Sequence, residues 1–387
     1  MVSRVKFVVT LLLVWCVTTA TAVEVGAERI AELLPELRGK RVALIVNHTS
    51  MVGDTHLLDT LISVGVNVTQ LFAPEHGFRG DADAGEVVAS GRDSKTGVPI
   101  VSLYGKNKRP TQEQLSGVDV VVFDIQDVGA RFYTYISTMF YAMESCAKYN
   151  RRFVVLDRPN PNDYVDGAVL SEDLKSFVGA LPIPILHGVT VGELARMIVG
   201  EEWGNTKGLE LSVVAMRGWR HGQPYDLPIK PSPNLPTPQS VALYPSLCLF
   251  EATQVSVGRG TLTPFEVVGY PDPEFGEYSF TPRAMEGFDK NPLQRDKTCY
   301  GLDLREVTPP KGFSLKYFIH FMQLSSSGKD FISSPSFFDK LSGDSSLRDK
   351  LAAGVSEEVI REGWQPALDK YKQIRKKYLI YPDYLLP

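Results

Sequence analysis

Short apolar runs typical of buried strands recur through the first half of the chain, and segments with helical spacing separate them. The clearest apolar runs lie at residues 41–46, 66–73, 118–125 and 152–157. Helical spacing is found at residues 57–64 and 132–148. A further helix is expected after Thr190, which with Glu193 has the residue types of a capping box. This alternation predicts an α/β fold: a Rossmann-like, mostly parallel sheet with helices on both faces.

The pattern changes beyond residue 231, where a proline-rich segment follows. From about residue 274 the segments predict a smaller α+β domain, with a strand near residues 300–307 and helices near 315–324, 336–341 and 355–378. The predicted organisation is a signal peptide at residues 1–22, a Rossmann-like catalytic domain at 23–273, and a C-terminal domain at 274–387 that closes the cleft.

The first residues have the pattern of a secretory signal. Arg4 and Lys6 precede an apolar stretch at residues 7–17, and a small-residue cleavage sequence ends at Ala22. We therefore expect a secreted or periplasmic protein, or one in an endomembrane or lysosomal-type compartment if the source is eukaryotic. No later segment is apolar enough for a bilayer span, so no stable membrane anchor is expected.

The charge and cysteine content of the chain exclude some classes of binding partner and site. The 41 basic and 45 acidic residues among 387 give a net charge of −4, and no basic stripe indicates nucleic acid. Three cysteines remain after cleavage at Ala22, namely Cys146, Cys248 and Cys299, without a C-x-x-C pair. Neither a disulfide scaffold nor a zinc site is therefore expected.

Polar and charged residues follow three of the predicted strands directly. Because ligands of open α/β sheets bind outside the carboxyl ends of the strands, these residues are expected to line a small-molecule site. Glu75 follows an apolar strand and lies between Pro74 and Gly77, where burial would raise a carboxyl pKa as a general acid requires. Glu75 and Asp124 are the predicted catalytic residues. The predicted substrate-binding residues are Asn47, His48, His76, Arg79, Gln126, Arg131, Tyr133, Asp157, Arg158, Asn160, Glu251 and Arg259.

Several catalytic motifs are absent from the sequence: the G-x-S-x-G elbow, the P-loop, H-E-x-x-H and G-x-G-x-x-G. No cofactor is therefore expected. His48 and His76 lack a recognised metal-ligand spacing, so no metal site is predicted either. Carboxylate chemistry remains, as in a glycosidase that uses two carboxyl groups, or one carboxyl group and a substrate acetamido group.

The same segments resemble the exo-β-N-acetylmuramidase family, whose members are NamZ-like proteins. The resemblance rests on seven blocks that occur in order along the chain. They are NHTS at 47–50, PEHGFRG at 74–80, FDIQDVGARFYTY at 123–135, LDRPNP at 156–161, HGVTVGELA at 187–195, FEATQVSVGRGTLTPFE at 250–266 and YLIYPDY at 378–384.

The resemblance implies an active site in a cleft between the two domains and release of N-acetylmuramic acid from non-reducing ends of peptidoglycan-derived sugar chains. It places the family's proposed catalytic glutamate at Glu75. The substrate carries a lactyl carboxylate, which Arg131 or Arg259 would suit. The chain departs from the family at Ser50 and Ala252, where glycine is common, and neither change removes a charge.

Three questions stay open at this stage. The substrate acetamido group could act as nucleophile, or water could displace the aglycone directly with inversion. A non-catalytic muropeptide-binding protein on the same scaffold and a metal-dependent hydrolase are the alternative functions.

Overall fold

The computed structural model of the protein describes residues 22–75, 77–78 and 91–383, with Lys329 described in its backbone only. The predicted signal peptide, apart from Ala22, lies outside the described residues. So do His76 and Arg79, which were predicted to bind substrate.

The strands occupy the following segments: β1 Arg41–Val46, β2 Met51–Val52, β3 Thr55–His56, β4 Asn67–Ala73, β5 Gly91–Arg92, β6 Pro99–Ser102, β7 Val120–Asp124, β8 Arg152–Leu156, β9 Val165–Val169, β10 Pro184–His187, β11 Leu211–Val214, β12 Val267–Tyr270, β13 Tyr278–Phe280 and β14 Cys299–Asp303. The α-helices are α1 Ile30–Leu37, α2 Leu57–Ser63, α3 Gln112–Leu115, α4 Tyr135–Lys148, α5 Val191–Gly200, α6 Pro238–Leu247, α7 Lys316–Leu324, α8 Pro335–Ser342, α9 Leu347–Ala352 and α10 Glu357–Lys376.

The large sheet has seven strands in the order β11-β8-β7-β1-β4-β6-β5. Neighbouring strands run parallel except β5, which pairs antiparallel with β6 at one edge. The chain builds outward from β1 through β4 to β6 and then crosses to β7 on the other side of β1. The predicted mostly parallel sheet is confirmed, and its topological switch lies between β1 and β7.

Helices cover both faces of this sheet, so its strands are buried on two sides. Successive residues of β1 therefore contribute to different cores: Ala43 and Ile45 belong to the larger one, and Val42 and Leu44 to the other. The predicted capping box of α5 is present, because Thr190 Oγ1 accepts from the Glu193 amide at 3.3 Å while Glu193 Oε2 accepts from the Thr190 amide at 2.9 Å.

The second half of the chain holds a small antiparallel sheet, β12-β14-β13, surrounded by helices α6 to α10. This agrees with the smaller α+β unit expected from the sequence. The predicted domain boundary at residue 273 falls between β12 and its partner strand β14. The long helix α10 packs on the hairpin of β9 and β10, which belongs to the first half.

Two smaller features bear on the sequence predictions. Cys146, Cys248 and Cys299 are buried free thiols. None of the helices in the described chain combines the length and apolar character that a bilayer span requires.

Candidate active site

A cavity of about 370 Å³ opens beside the carboxyl end of β4. Both halves of the chain contribute to its wall. The lining residues within the described chain are Glu75, Tyr104, Lys108, Phe132, Tyr133, Thr134, Tyr135, Phe177, Val178, Ser232, Asn234, Leu235, Tyr244, Glu251, Arg259, Phe265 and Phe337. Aromatic walls with a few charged groups are typical of small-molecule sites.

A second cavity of about 420 Å³ lies on the other side of the proline-rich segment, which forms the wall between the two. Tyr164, Tyr225, Lys230 and Lys311 are among its lining residues. None of the predicted site residues that the structure describes lines it, whereas Glu75, Tyr133, Glu251 and Arg259 all line the first cavity. The cavity beside β4 is therefore the candidate active site.

Glu75 is held in a defined orientation at the entrance to α4. Thr134 Oγ1 donates to Glu75 Oε2 at 2.8 Å, and the Tyr135 hydroxyl reaches the Glu75 carbonyl at 3.5 Å. Tyr104 also hydrogen-bonds the Glu75 carboxylate, and burial together with this negative charge raises the pKa of Tyr104 well above its ordinary value. Tyr104 therefore stays protonated and donates to Glu75 near neutral pH.

Glu251 and Arg259 form an ion pair in the part of the cavity wall that the second half of the chain contributes. Arg259 Nε donates to Glu251 Oε1 at 2.9 Å, and Nη2 donates to the same oxygen. Both side chains are about one-quarter exposed. Burial by itself would lower the pKa of Arg259, but the charge of Glu251 outweighs it and raises that pKa. The pair is close to neutral as a unit.

Tyr133 and Tyr135 form an aromatic wall, with ring centroids 4.8 Å apart in an edge-to-face arrangement. The Tyr133 hydroxyl donates to the Pro231 carbonyl at 2.9 Å. Burial raises the pKa of both phenols, and the Glu75 charge adds to the effect on Tyr135. The two rings are therefore neutral surfaces on which the apolar face of a sugar ring could pack.

Asp124 was predicted to be catalytic, and the structure places it outside the lining of the cavity. This carboxylate is completely buried and bonds the Arg158 guanidinium through both oxygens, at 2.6 Å and 2.9 Å. Neither residue lines the cavity. The pair joins the carboxyl end of β7 to the residues that follow β8, so Asp124 and Arg158 link two adjacent strands.

Asp157, Gln126 and Asn160 were predicted to bind substrate, and they also lie outside the lining of the cavity. Asp157 accepts from Thr190 Oγ1 at 2.7 Å and from the Tyr381 hydroxyl at 2.6 Å, and burial raises its pKa to about 7. Gln126 donates to two backbone carbonyls, and Asn160 donates to another. Each of the three side chains is buried and bonded within the protein.

Arg131 was predicted to bind a substrate carboxylate, and the structure places its side chain in the interior, outside the lining of the cavity. The side chain is 1% exposed. Its Nη1 donates to the carbonyls of Ala168 at 2.7 Å and Ile183 at 2.9 Å, and its Nη2 donates to the Leu341 carbonyl at 2.9 Å. Burial lowers its pKa to about 9, so the group is still cationic at neutral pH.

Asn47 and His48 lie near the cavity without lining it. Asn47 is fully buried and accepts from the Thr49 amide and hydroxyl at 2.9 Å and 2.6 Å. Its side chain also contacts the Tyr135 phenol, which does line the cavity. His48 Nε2 is 2.8 Å from the Lys230 carbonyl, at the start of the proline-rich segment. Both residues therefore support the cavity wall from behind.

Tyr104, Lys108 and Thr134 are polar lining residues among those that the sequence analysis missed. Tyr104 and Lys108 lie in the irregular segment between β6 and α3, where no periodicity marks one residue as facing a site. Thr134 lies within the FDIQDVGARFYTY block and precedes α4 directly, so its position before a helix was the available signal.

Within residues 22–75, 77–78 and 91–383, no three His, Cys, Asp or Glu side chains converge in a way that could hold a metal ion.

The geometry defines a two-part α/β protein with a carboxylate-bearing, aromatic-walled cavity, and sequence comparison gives its family. The signature described as "Exo-beta-N-acetylmuramidase NamZ, N-terminal" matches residues 42–239, and its C-terminal counterpart matches residues 242–381. The chain belongs to the exo-β-N-acetylmuramidase NamZ family, a family of glycosidases. The resemblance seen in the seven sequence blocks is thereby confirmed.

Individual relatives agree with this assignment. The chain is 41% identical to the peptidoglycan beta-N-acetylmuramidase NamZ of Bacillus subtilis (strain 168), over 91% of this chain and 90% of that protein. Two crystal structures of DUF1343 family proteins from Bacteroides fragilis NCTC 9343 have the same fold. They match with TM-scores of 0.86 and 0.80 at 44% and 31% identity, each covering 93% of this chain and 99% of the other.

Proposed function

We propose that the protein is an exo-acting glycosidase that releases N-acetylmuramic acid from non-reducing ends of peptidoglycan-derived sugar chains, with Glu75 as general acid. One observation carries the assignment of the residue. Among the carboxylates that line the cavity in the described chain, Glu251 is tied to Arg259, whereas Glu75 is held only by neutral hydroxyl groups. Glu75 is thus the carboxyl group available to protonate a glycosidic oxygen.

The surroundings of Glu75 suit that step. Thr134 and Tyr104 fix the orientation of its carboxyl group. The group is therefore already oriented for proton transfer when substrate binds. The aromatic side chains of the wall exclude water from one side of the sugar and offer apolar faces to it. The Glu251–Arg259 pair supplies donors and acceptors for sugar hydroxyl groups.

The second half of the reaction is assigned by elimination among the carboxylates that the described residues bring to this cavity. A retaining glycosidase with two protein carboxylates needs the second one free to attack the anomeric carbon. Glu251 is engaged with Arg259, and Asp124 lies outside the cavity. The arrangement favours the 2-acetamido group of the substrate as internal nucleophile, with Glu75 then acting as base toward water.

The function is tested by hydrolysis of a β-N-acetylmuramide glycoside with purified residues 23–387. We expect the wild type to release N-acetylmuramic acid and Glu75→Gln to lose about 10³-fold in kcat, within the range for loss of a general acid. Glu277→Gln, an exposed glutamate in the small sheet region, is the matched control and should keep full activity.

Other results would contradict parts of this proposal. Tight binding of the sugar by calorimetry without turnover would indicate a binding protein. Activity that a chelator abolishes would indicate a metal-dependent hydrolase. NMR of the first-formed anomer tests the nucleophile separately, because an inverted product excludes participation of the acetamido group.

Export of the protein is a further part of the proposal. It is supported by the signal-like sequence at residues 1–22. Mass spectrometry of the protein from the culture medium or periplasm should find a chain that begins at Val23. A full-length chain confined to the cytoplasm would contradict export.

A further inference from the structure

A lysine in the cavity wall has a different environment from the other charged residues there. Lys108 lies in the irregular segment between β6 and α3 and lines the cavity together with Phe177 and Val178. Its ammonium group is 4.2 Å from the centroid of the Phe177 ring. No carboxylate within the described residues pairs with it.

The charges of the other lining residues determine the net charge that a substrate meets in the cavity. The described wall carries four ionisable charges, those of Glu75, Lys108, Glu251 and Arg259. Glu251 and Arg259 neutralise each other. When Glu75 carries the proton that a general acid must donate, the Lys108 ammonium is the one charge on the described part of the wall that is left without compensation. A cavity in that state is complementary to a substrate with a single negative charge.

We propose that Lys108 is the specificity-determining residue that binds the lactyl carboxylate of N-acetylmuramic acid; this rests on the proposed function. The lactyl group is a methyl and a carboxylate on one carbon. Lys108 supplies the cation, and the neighbouring Phe177 ring and Val178 supply an apolar surface for the methyl. A lysine ammonium is a compact charge on a flexible stem and pairs with a carboxylate in this manner.

Arg259 is less suited to the same task. Its Nε and Nη2 both donate to Glu251, so the charge of Arg259 is already compensated by that carboxylate. Its Nη1 is buried and is the part of the guanidinium left without a partner among the described residues. Arg131 is excluded because it is bonded to backbone carbonyls in the interior.

The test compares two activated β-glycosides, one of N-acetylmuramic acid and one of its lactyl carboxamide, which differ in charge and hardly in shape. The wild type should prefer the acid. In Lys108→Met, kcat/KM for the acid should fall about 10- to 100-fold, as expected for loss of a charge-assisted hydrogen bond. The value for the amide should stay within about twofold, so the preference disappears. Lys108→Arg should restore most of the preference.

Lys106→Met is the matched control, because Lys106 is an exposed lysine of the same segment that does not line the cavity. An unchanged acid-to-amide ratio in Lys108→Met, with wild-type activity intact, overturns the inference and leaves the proposed function standing. An equal loss on both glycosides in Lys108→Met also overturns it, since it indicates a general effect on the cavity. If the wild type hydrolyses neither glycoside, the proposed function itself fails, and the inference fails with it.

Discussion

Two groups of acidic side chains in this protein differ in what their oxygens contact. Asp124, Asp157 and Glu193 are completely buried, and their bonds run to protein groups such as Arg158, Tyr381 and His221. Glu75 and Glu251 instead line a cavity and remain partly exposed. Asp124, Asp157 and Glu75 lie at or just after the end of a strand, whereas Glu193 lies in α5 and Glu251 follows α6.

The difference teaches that an acid at a strand end is not by itself a site. At the topological switch between β1 and β7, the crevice is filled by the Asp124–Arg158 pair and by side chains bonded to the backbone. The opening lies one strand away, beside β4. The two groups differ in whether protein donors already bond the carboxylate oxygens. A fully buried carboxylate needs such donors, because a buried charge without partners would be strongly destabilising.

The largest change is expected from breaking the buried ion pair. Arg158→Met leaves the Asp124 carboxylate buried without its cation, and the free energy of unfolding should fall by about 3–5 kcal/mol. Urea unfolding followed by circular dichroism measures this. Arg305→Met, which breaks an exposed pair with Asp303, is the control and should cost less than about 1 kcal/mol. Equal effects of the two substitutions would contradict a structural role for the buried pair.

The next effect concerns pH. Burial alone would lower the pKa of His221, but its bonds to Asp163 and Glu193 outweigh this and raise the pKa to about 9. A raised pKa means that its contribution is full below the unfolded value near 6.5 and is lost as the pH rises through about 9. That contribution amounts to up to about 3 kcal/mol.

Unfolding measured from pH 6 to 10 should therefore show a decline in the wild type that is absent from His221→Gln. His320→Gln changes an exposed histidine and should keep the wild-type profile. A decline that persists unchanged in His221→Gln would show that other groups cause it.

The smallest effect is expected at the cavity. Tyr104→Phe removes one hydroxyl that donates to Glu75 while keeping the ring, so kcat should fall about tenfold, with a change in unfolding free energy below about 1 kcal/mol. Steady-state kinetics and thermal unfolding of the same preparation give both numbers. Tyr164→Phe, on an exposed ring outside the cavity, serves as control. A large loss of stability with unchanged kcat would show that Tyr104 has a structural role, like the partners of the buried carboxylates.

The fold was largely predictable because its strands are short, apolar and bounded by polar residues. β1 was predicted at its observed bounds, and α5 was identified by its capping residues. Helix α6 was missed because it follows a proline-rich segment and contains Pro245, although Thr237 caps it and Pro238 occupies its first turn. The hairpin of β9 and β10 was missed as well, since its partners are defined only by tertiary pairing.

The site was predictable in position but not in detail. The sequence indicated Glu75, Tyr133, Glu251 and Arg259, and the structure brings all four to one cavity. It could not show that Asp124 is paired with Arg158, because that bond joins residues 34 positions apart. Lys108 carried no signal, since a lysine in an irregular segment is ordinarily a solvated surface residue.

The hydrogen bonds of Arg131 bear on whether the two halves of the chain can fold separately. This residue belongs to the half that matches the N-terminal family signature, yet it bonds the Leu341 carbonyl in the half that matches the C-terminal one. Tyr371 and Arg375 make the reverse connection to the carbonyls of His187 and Gly188. An N-terminal half produced alone would expose the His187 and Gly188 carbonyls and leave Arg131 Nη2 without its Leu341 acceptor, although Nη1 would keep its bonds to Ala168 and Ile183. The two halves are thus one cooperative unit, and a chimera between distant relatives will fold only if the Arg131 contacts are carried across the junction together.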